Sequence, residues 1–480
     1  MTSTHEQSRI VVIGGGPGGY EAAQVAARLG AHVTVVERAG LGGSAVLTDV
    51  VPSKTLIATS DVMAMLTDID DVGLRFPQPG SVDLSTVNAR VRSLASAQSQ
   101  DIRRRLERDG VAIVEGSGRL LSRAHVPERG GPECNVPGDW RHHRVEVTDA
   151  AGTRQELPAD TVLVAVGARP RTLAQALPDG ERILTWTQLY QLRSLPERLI
   201  VVGSGVTGAE FASAYDALGA DVVLVSSRDR VLPGEDADAA DLIEAVFRRR
   251  GMTVISRVRA MAATRTGDGV SVELDDGRVV EGSHALIAVG SIPNTEGLGL
   301  TETGVRLTDA GHARVDRVSR TSAPGIYAAG DCTGVLPLAS VAAMQGRIAM
   351  WHALGQAVHP LDLATVSATI FTAPEIATVG VSEQDLATDP PGGRKVTLPL
   401  AGNPRAKMQG LTDGFVKVFS NPSGVVIGGV VVAQHASELI LPLTLAVQHR
   451  LTVEQLATTF TVYPSLAGSL TEAARRLQAP

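Results

Sequence analysis

The sequence predicts an α/β protein in which one βαβ unit occurs twice and an α+β region follows. Residues 10–37 and 199–226, hereafter the first and second copies, each read as an apolar strand, a glycine-rich turn, a helix and a second apolar strand. Laid over each other without a gap, the copies match at 11 of 28 positions. A glycine-rich apolar strand at 425–432, followed by a helical stretch at 436–450, predicts the α+β region.

The first copy carries the spacing G-x-G-x-x-G directly after its first strand. Gly14 permits the tight turn, Gly16 lets a pyrophosphate approach the backbone, and Gly19 allows close packing of helix and strand. Glu37 ends the second strand, where a carboxylate accepts hydrogen bonds from ribose hydroxyls. Because strand, helix and terminal acid all accompany the glycines, the copy predicts a Rossmann-like dinucleotide site.

The second copy repeats these glycines but changes the residue that follows them. Gly203, Gly205 and Gly208 keep the spacing, whereas Ser226 stands at the position of Glu37 and Arg228 follows soon after. An acid would repel a 2′-phosphate, while a hydroxyl and a guanidinium would bind it. We therefore expect NADPH here, with NADH less favoured; the alternative is that the arginine is an ordinary surface residue.

Composition excludes several other classes of protein. The 480 residues carry 51 acidic and 44 basic side chains and only 3% aromatics, which disfavours a nucleic-acid binder. The two cysteines cannot build a disulfide framework, no apolar run reaches the length of a membrane span, and the amino-terminal residues lack a signal-peptide pattern. We expect a cytoplasmic protein without a transmembrane segment. The histidines and cysteine of 125–144 match no ligand spacing, so we predict no metal site and a solvated loop there.

Further motifs identify a family. Strand–glycine connectors occur at 161–167 and 286–290, I-Y-A-A-G-D stands at 326–331, and F-T-A-P-E begins at 371. With the two copies, they resemble the flavoprotein disulfide reductases, which include lipoamide dehydrogenase, glutathione reductase and mercuric reductase. The resemblance implies FAD in the first site, a homodimer, and Asp331 at the ribityl chain. The other cofactor contacts that it implies are Gly43, Ser44, Gly118, Gly167, Ala339 and Gly290.

The same resemblance singles out one lysine. Pro52-Ser53-Lys54 matches the segment that places a lysine beside flavin N5 in this family, and Glu210 matches the glutamate with which that lysine pairs. Lys54 is the only lysine before Lys395. We therefore expect Lys54 and Glu210 to serve catalysis as well as cofactor binding.

The chain departs from the family where thiol chemistry occurs. The two redox cysteines of the family are replaced by Ala45 and Val50, which we interpret as part of the apolar wall of the pocket near the flavin. The family's histidine acid/base and its glutamate are replaced by Tyr463 and Gly468. A relay from flavin to disulfide is therefore excluded. Tyr463 is either a proton donor to a bound acceptor or a filler of the space left by the thiols.

The pattern is similar to the NAD(P)H:quinone reductase branch of the lipoamide dehydrogenase homologues, which lacks the cysteine pair. It implies that hydride passes from NAD(P)H to FAD and that electrons then pass directly to a quinone. Two alternatives stay open: a pyridine nucleotide transhydrogenase, and a non-catalytic reductase-like assembly subunit.

Four regions follow from these motifs. We expect the FAD-binding domain in two parts, residues 1–172 and 290–360, with an NAD(P)-binding domain at 173–289 between them. Residues 361–480 are expected to form the C-terminal α+β dimerisation domain, from which Tyr463 would reach the flavin of the other subunit.

Overall fold

A computed structural model describes residues 7–67, 73, 80–122, 143–386 and 392–478. The chain divides by packing into two compact units. The first unit comprises Met1–Ser53, Arg90–Pro170 and Ser291–Leu361, and the second comprises Lys54–Ala89, Arg171–Gly290 and Asp362–Pro480. The four regions predicted from the sequence are domains defined by function, whereas these two units are defined by packing. The boundaries of the four regions therefore stay predictions. Most of the 125–144 loop lies outside the described residues, but His143 begins a strand, so the loop ends earlier than predicted.

The first unit is built around a five-stranded parallel sheet. Its strands lie in the order Ile326–Ala328, Thr161–Val164, Arg9–Ile13, His32–Glu37 and Ala112–Glu115. Thr161–Val164 and Arg9–Ile13 are largely apolar and almost wholly buried, which is typical of the centre of a parallel sheet covered on both sides, whereas His32–Glu37 begins at the exposed His32. A three-stranded antiparallel sheet, Ser117–Leu120, His143–Thr148 and Arg154–Ala159, adds to the core, and the short strands Ala168–Pro170 and Ser291–Pro293 pair with each other.

Two helices of the first unit, Pro17–Arg28 and Ala339–Ala353, cross at very short range. A Cβ added at Gly346 would lie 2.0 Å from the carbonyl oxygen of Gly18, so neither backbone leaves room for a side chain at the crossing. Close packing here fixes the first glycine-rich turn relative to the segment that follows Asp331. The other helices that begin in this unit or continue into it are Gly43–Leu47, Val50–Thr67 and Leu84–Arg108.

The second unit contains the other parallel sheet, with the strand order Thr253–Ile255, Asp221–Val225, Arg198–Val202, His284–Ile287 and Ile183–Thr185. The helices Val206–Ala217 and Ala237–Arg249 and the 3₁₀ helix Trp186–Gln191 accompany it. An antiparallel sheet of Ala260–Thr266, Gly269–Leu274 and Val279–Gly282 packs against it through a shared apolar core.

The C-terminal part of the second unit is an antiparallel five-stranded sheet covered by helices. Its strand order is Ser367–Ile370, Glu375–Gly380, Val426–Ala433, Phe415–Ser420 and Arg394–Pro399. The helices are Glu383–Leu386, Pro404–Met408, Ala436–Leu439, Leu441–Gln448, Val453–Thr458 and Gly468–Gln478. The single helical stretch predicted over 436–450 is therefore wrong in detail: it is two helices, and the second has Pro442, which lacks a backbone N–H, in its first turn.

The predicted α/β fold, with two dinucleotide-type units and an α+β end, is confirmed. None of the described helices combines the length and apolar character needed to cross a membrane.

Candidate functional site

The glycine-rich turn of the first copy is shaped by backbone approach. Gly14 has φ of +102°, and a Cβ there would lie 2.3 Å from the carbonyl oxygen of Ala165. A Cβ at Gly19 would lie 1.9 Å from the Gly14 carbonyl oxygen. At Gly16, by contrast, a Cβ would meet only the Cα of Gly43, at 4.0 Å. Two of the glycines are thus required by the fold, whereas Gly16 leaves a concave space free.

The space beside Gly16 suits a pyrophosphate. Gly16 is the N-cap of helix Pro17–Arg28, whose first turn has no side-chain cap and no acidic residue. Pro17 has no N–H and Gly19 donates to the carbonyl oxygen of Gly16, so an anion here would be met by the positive end of the helix dipole and by the remaining N–H groups of the turn. A side chain at Gly16 would fill this space.

Glu37 lies at the end of the adjacent strand and is fixed by three backbone donors. Its carboxylate accepts the N–H of Gly15 at 2.6 Å, that of Ala39 at 2.7 Å and that of Gly40 at 3.3 Å. These bonds hold the acid against the glycine-rich turn, as recognition of a ribose by this residue requires.

Three other predicted cofactor residues lie close to that turn. Gly43 has φ of +58°, and a Cβ there would lie 2.9 Å from the Cα of Gly16. A Cβ at Gly167 would lie 4.0 Å from the hydroxyl of Ser44. Gly16, Gly43, Ser44 and Gly167 therefore surround one space. Gly118 has a packing role as well, because a Cβ there would lie 3.0 Å from the side chain of Ile13.

The segment from Gly330 contributes the remaining first-unit residues. Burial raises the pKa of Asp331, and nearby His312 opposes that shift. The N–H of Gly330 donates to the buried Gln345 amide at 2.8 Å, which fixes the turn before Asp331. Ala339 begins helix Ala339–Ala353, whose first turn also lacks a side-chain cap and an acid. The free cradle at Gly16, the fixed acid at Glu37 and these open N–H groups fit FAD.

The second copy reproduces this backbone in the second unit. Gly203 has φ of +112°, and a Cβ there would lie 2.3 Å from the carbonyl oxygen of Ala288. A Cβ at Gly208 would lie 1.8 Å from the Gly203 carbonyl oxygen, while one at Gly205 would meet nothing within 4 Å. Gly205 caps helix Val206–Ala217, again without a side-chain cap or an acid in the first turn. Gly290, at φ of +97°, also faces open space. This cradle fits a second pyrophosphate.

Ser226 replaces the carboxylate and is fully buried. Its hydroxyl lies 2.7 Å from the hydroxyl of Ser204 and accepts the N–H of Arg228 at 3.1 Å. It therefore shapes the turn that presents Arg228, whose side chain is exposed and makes no ion pair with any described residue. Arg230, by contrast, pairs with Asp241 at 3.3 Å.

Lys54 and Glu210 form the predicted ion pair, with 2.7 Å between Nζ and Oε2. The Glu210 side chain is 5% exposed and that of Lys54 is 28% exposed. Two further contacts were not predicted. The other Glu210 oxygen accepts the N–H of Phe371 at 2.9 Å, and the ammonium lies 4.7 Å from the centroid of the Phe371 ring. No sequence signal links these residues, because Phe371 is 161 positions from Glu210.

The substituted thiol positions are structurally ordinary. Ala45 lies in helix Gly43–Leu47 and Val50 begins helix Val50–Thr67, both partly buried.

Cys332 is buried, and burial raises the pKa of its thiol to about 12. Tyr463 is 83% exposed within the chain, and Cys134 lies outside the described residues.

A carboxylate cluster was also missed by sequence reasoning. Asp236, Asp238 and Glu383 lie within 4.8 Å of one another, and each contacts the buried ammonium of Lys417, at 2.8, 2.7 and 2.5 Å. The lysine supplies the positive charge that these acids require, so the cluster is an internal ion-pair network of the second unit.

Comparison with known proteins identifies the family of the chain. Residues 8–346 match the pyridine nucleotide-disulphide oxidoreductase family, and residues 366–474 match its dimerisation domain. The chain is 54% identical to an NAD(P)H dehydrogenase (quinone) of Mycobacterium tuberculosis, over 98% of this chain and 94% of that one. It is 32% identical to a dihydrolipoyl dehydrogenase of Zymomonas mobilis, over 96% of each.

A solved structure extends the likeness to three dimensions. The crystal structure of LpdA from Mycobacterium tuberculosis superposes with a TM-score of 0.91 at 54% identity, covering 98% of this chain and all of that one. The chain belongs to the pyridine nucleotide-disulphide oxidoreductase family.

Proposed function

We propose that this protein is an FAD-dependent NAD(P)H:quinone oxidoreductase that acts in the cytoplasm as a homodimer. One observation carries the proposal: both dinucleotide cradles and the Lys54–Glu210 pair are retained, while Ala45 and Val50 occupy the positions of the redox thiols. The quinone is supported by the name of the 54% identical relative, and the dimer by the matching dimerisation domain.

The positions that carry the redox thiols and the acid/base pair in this family hold none of the groups that disulfide chemistry needs. Alanine and valine can neither store electrons nor attack a disulfide, and Tyr463 and Gly468 replace the acid/base pair. Cys332 is no substitute, because a thiol whose pKa is about 12 stays protonated near neutral pH.

Each unit would bind one dinucleotide. The turn at Gly14–Gly19 with Glu37 would hold FAD, with Ser44, Gly118, Gly167, Asp331 and Ala339 as further contacts. The turn at Gly203–Gly208 would hold the nicotinamide nucleotide. When bound, FAD supplies a two-electron acceptor for hydride and a donor to quinones.

The chain's own residues then have three roles. The Lys54 ammonium, oriented by Glu210, favours negative charge near it. The exposed guanidinium of Arg228, presented by the turn that the buried Ser226 hydroxyl shapes, favours the 2′-phosphate, and hence NADPH over NADH. Tyr463 is exposed within one chain and would face the other subunit. There it would either donate a proton to the quinone or form part of the wall of the quinone pocket.

Steady-state kinetics test the proposal. The purified yellow protein should oxidise NADPH rapidly with a small quinone and negligibly with lipoamide or oxidised glutathione. Ping-pong patterns are expected, since the cofactor is reduced before it meets the acceptor. Robust turnover of lipoamide would contradict the proposal, whereas fast hydride exchange between two nucleotides without quinone turnover would identify a transhydrogenase.

A further inference from the structure

Phe371 makes two contacts to the Lys54–Glu210 pair, one through its backbone and one through its side chain. Its N–H donates to Glu210 Oε1, so that the carboxylate is held from one side while Oε2 faces Lys54. Its ring lies 4.7 Å from the Lys54 ammonium. A cation at this distance from an aromatic ring is attracted by the ring's electron-rich face.

The segment that carries Phe371 is anchored independently of the ring. The N–H of Ala373 donates to the buried hydroxyl of Ser213 at 3.1 Å. Ser213 and Glu210 stand three residues apart in helix Val206–Ala217 and therefore lie on one face of it. Two hydrogen bonds from one helix face thus fix residues 371–373, and with them the position of the ring.

The ammonium of Lys54 has no other partner among the residues that the structure describes. Glu210 accepts a hydrogen bond from one of the three N–H groups of the ammonium, and the Phe371 ring contacts the ammonium on another side. The lysine side chain is still 28% exposed, so the remaining side is open to a ligand. Removing the ring would leave a single hydrogen bond to orient a long and flexible side chain.

We propose that Phe371 is a positioning residue that holds the Lys54 ammonium in its working orientation through its ring. The proposal rests on the proposed function of Lys54. Phe371 itself need not touch a substrate or cofactor. Leucine at this position would keep both backbone hydrogen bonds and lose the cation–π contact, whereas tyrosine would keep the ring.

The chain offers a direct spectroscopic test on the FAD-loaded protein. It has four lysines, so lysine labelled with ¹³C at Cε gives four signals, and Lys54→Arg identifies the one from Lys54. In Phe371→Leu this signal should move downfield as the ring-current shift is lost, and Phe371→Tyr should restore it. Phe415, whose ring lies 5.4 Å from Lys417, is the matched control: Phe415→Leu should move the Lys417 signal and leave that of Lys54 in place.

Stopped-flow reduction by NADPH provides the functional readout. Phe371→Leu should slow reduction of the bound FAD about three- to tenfold and make its midpoint potential more negative, while Phe371→Tyr stays near wild type. Added to Lys54→Met, Phe371→Leu should cost nothing further, because it acts through the lysine.

The outcomes separate the two proposals. An unmoved Lys54 signal in Phe371→Leu, or full additivity with Lys54→Met, overturns the role of Phe371 and leaves that of Lys54 intact. Wild-type reduction in Lys54→Met overturns the role of Lys54, and with it the need for a positioning residue.

Discussion

The first and second copies have nearly the same backbone and different chemistry. Gly16 and Gly205 cap their helices at φ of −69° and −72°, and both helices are 12 residues long. In each copy the first two strands pair with an offset of 23 residues, as in Arg9 with His32 and Arg198 with Asp221. The fold of the unit is thus set by the glycines and apolar strands that the copies share.

The copies differ in how aligned side chains are used. Glu37 accepts backbone N–H groups of the glycine-rich turn, whereas the aligned Ser226 bonds to another hydroxyl and to the turn that presents Arg228. Glu21 and Glu210 also align, yet the former pairs with Arg347 and the latter with Lys54. The two copies therefore place different side chains, with different partners, on the same backbone frame.

The largest expected contrast is between glycines whose Cβ would meet a backbone carbonyl oxygen and glycines whose Cβ would face open space. Gly19→Ala and Gly208→Ala place a methyl group within 2 Å of a carbonyl oxygen, so each should destabilise its unit by about 3 kcal/mol or prevent folding. Gly16→Ala and Gly205→Ala meet open space, so they should fold normally and lose about tenfold or more in affinity for FAD and NADPH respectively. Thermal unfolding and cofactor titration distinguish the two classes. Equal destabilisation by all four would refute this division of roles.

The aligned glutamates give the next largest effect. Glu210→Gln removes the charge opposite Lys54 and should slow FAD reduction by roughly 10- to 100-fold, since hydrogen bonds between charged groups contribute about 1.5–3 kcal/mol. Glu21→Gln is the matched control, because Glu21 pairs with the partly exposed Arg347 and should leave the rate unchanged. Stopped-flow absorbance measures both variants. Equal rates for the two would remove the charge of Glu210 from the reaction.

A third prediction concerns substitutions that make the nucleotide site of the second copy resemble that of the first. Ser226→Glu places an acid where Glu37 stands, so it should repel the 2′-phosphate and reverse the preference from NADPH to NADH. Arg228→Ala should weaken NADPH by about 1–2 kcal/mol and leave NADH unaffected. The ratio of kcat/KM values for the two nucleotides is the measurement. An unchanged ratio in Ser226→Glu would show that the 2′-phosphate is bound elsewhere.

The smallest effect concerns Asp216, which aligns with Ala27 of the first copy. Burial, with Asp221 adding to it and Arg250 opposing it, raises the pKa of Asp216 to about 6. A carboxyl group whose pKa is raised on folding stabilises the protein at low pH, and that contribution is lost as the pH rises through about 6. Asp216→Ala should therefore stabilise the protein by about 1 kcal/mol more at pH 8 than at pH 5, a value reduced for partial exposure. Urea denaturation at both pH values tests this, and a gain confined to pH 5 would contradict the sign.

The shared frame could be predicted from the sequence, and much of the side-chain chemistry could not. Glycine spacing and apolar runs are local patterns, so the sequence alone predicts both copies and their strands. Family resemblance predicted the Lys54–Glu210 pair. The sequence does not predict the contacts of Phe371, Ser213 and the Lys417 cluster. These contacts join residues 160 or more positions apart or depend on the packing of separate elements. The broken helix at Ile440 was missed because apolar periodicity continues across it.

We expect the protein to hold two electrons on its bound flavin and to pass them to a quinone without a redox disulfide. An anaerobic dithionite titration of the FAD-loaded protein tests it most directly. We predict that one two-electron equivalent per FAD bleaches the flavin fully, without a long-wavelength thiolate-to-flavin band, and that a quinone then restores the oxidised spectrum. Uptake of a second two-electron equivalent, or a stable long-wavelength band at half-reduction, would contradict it.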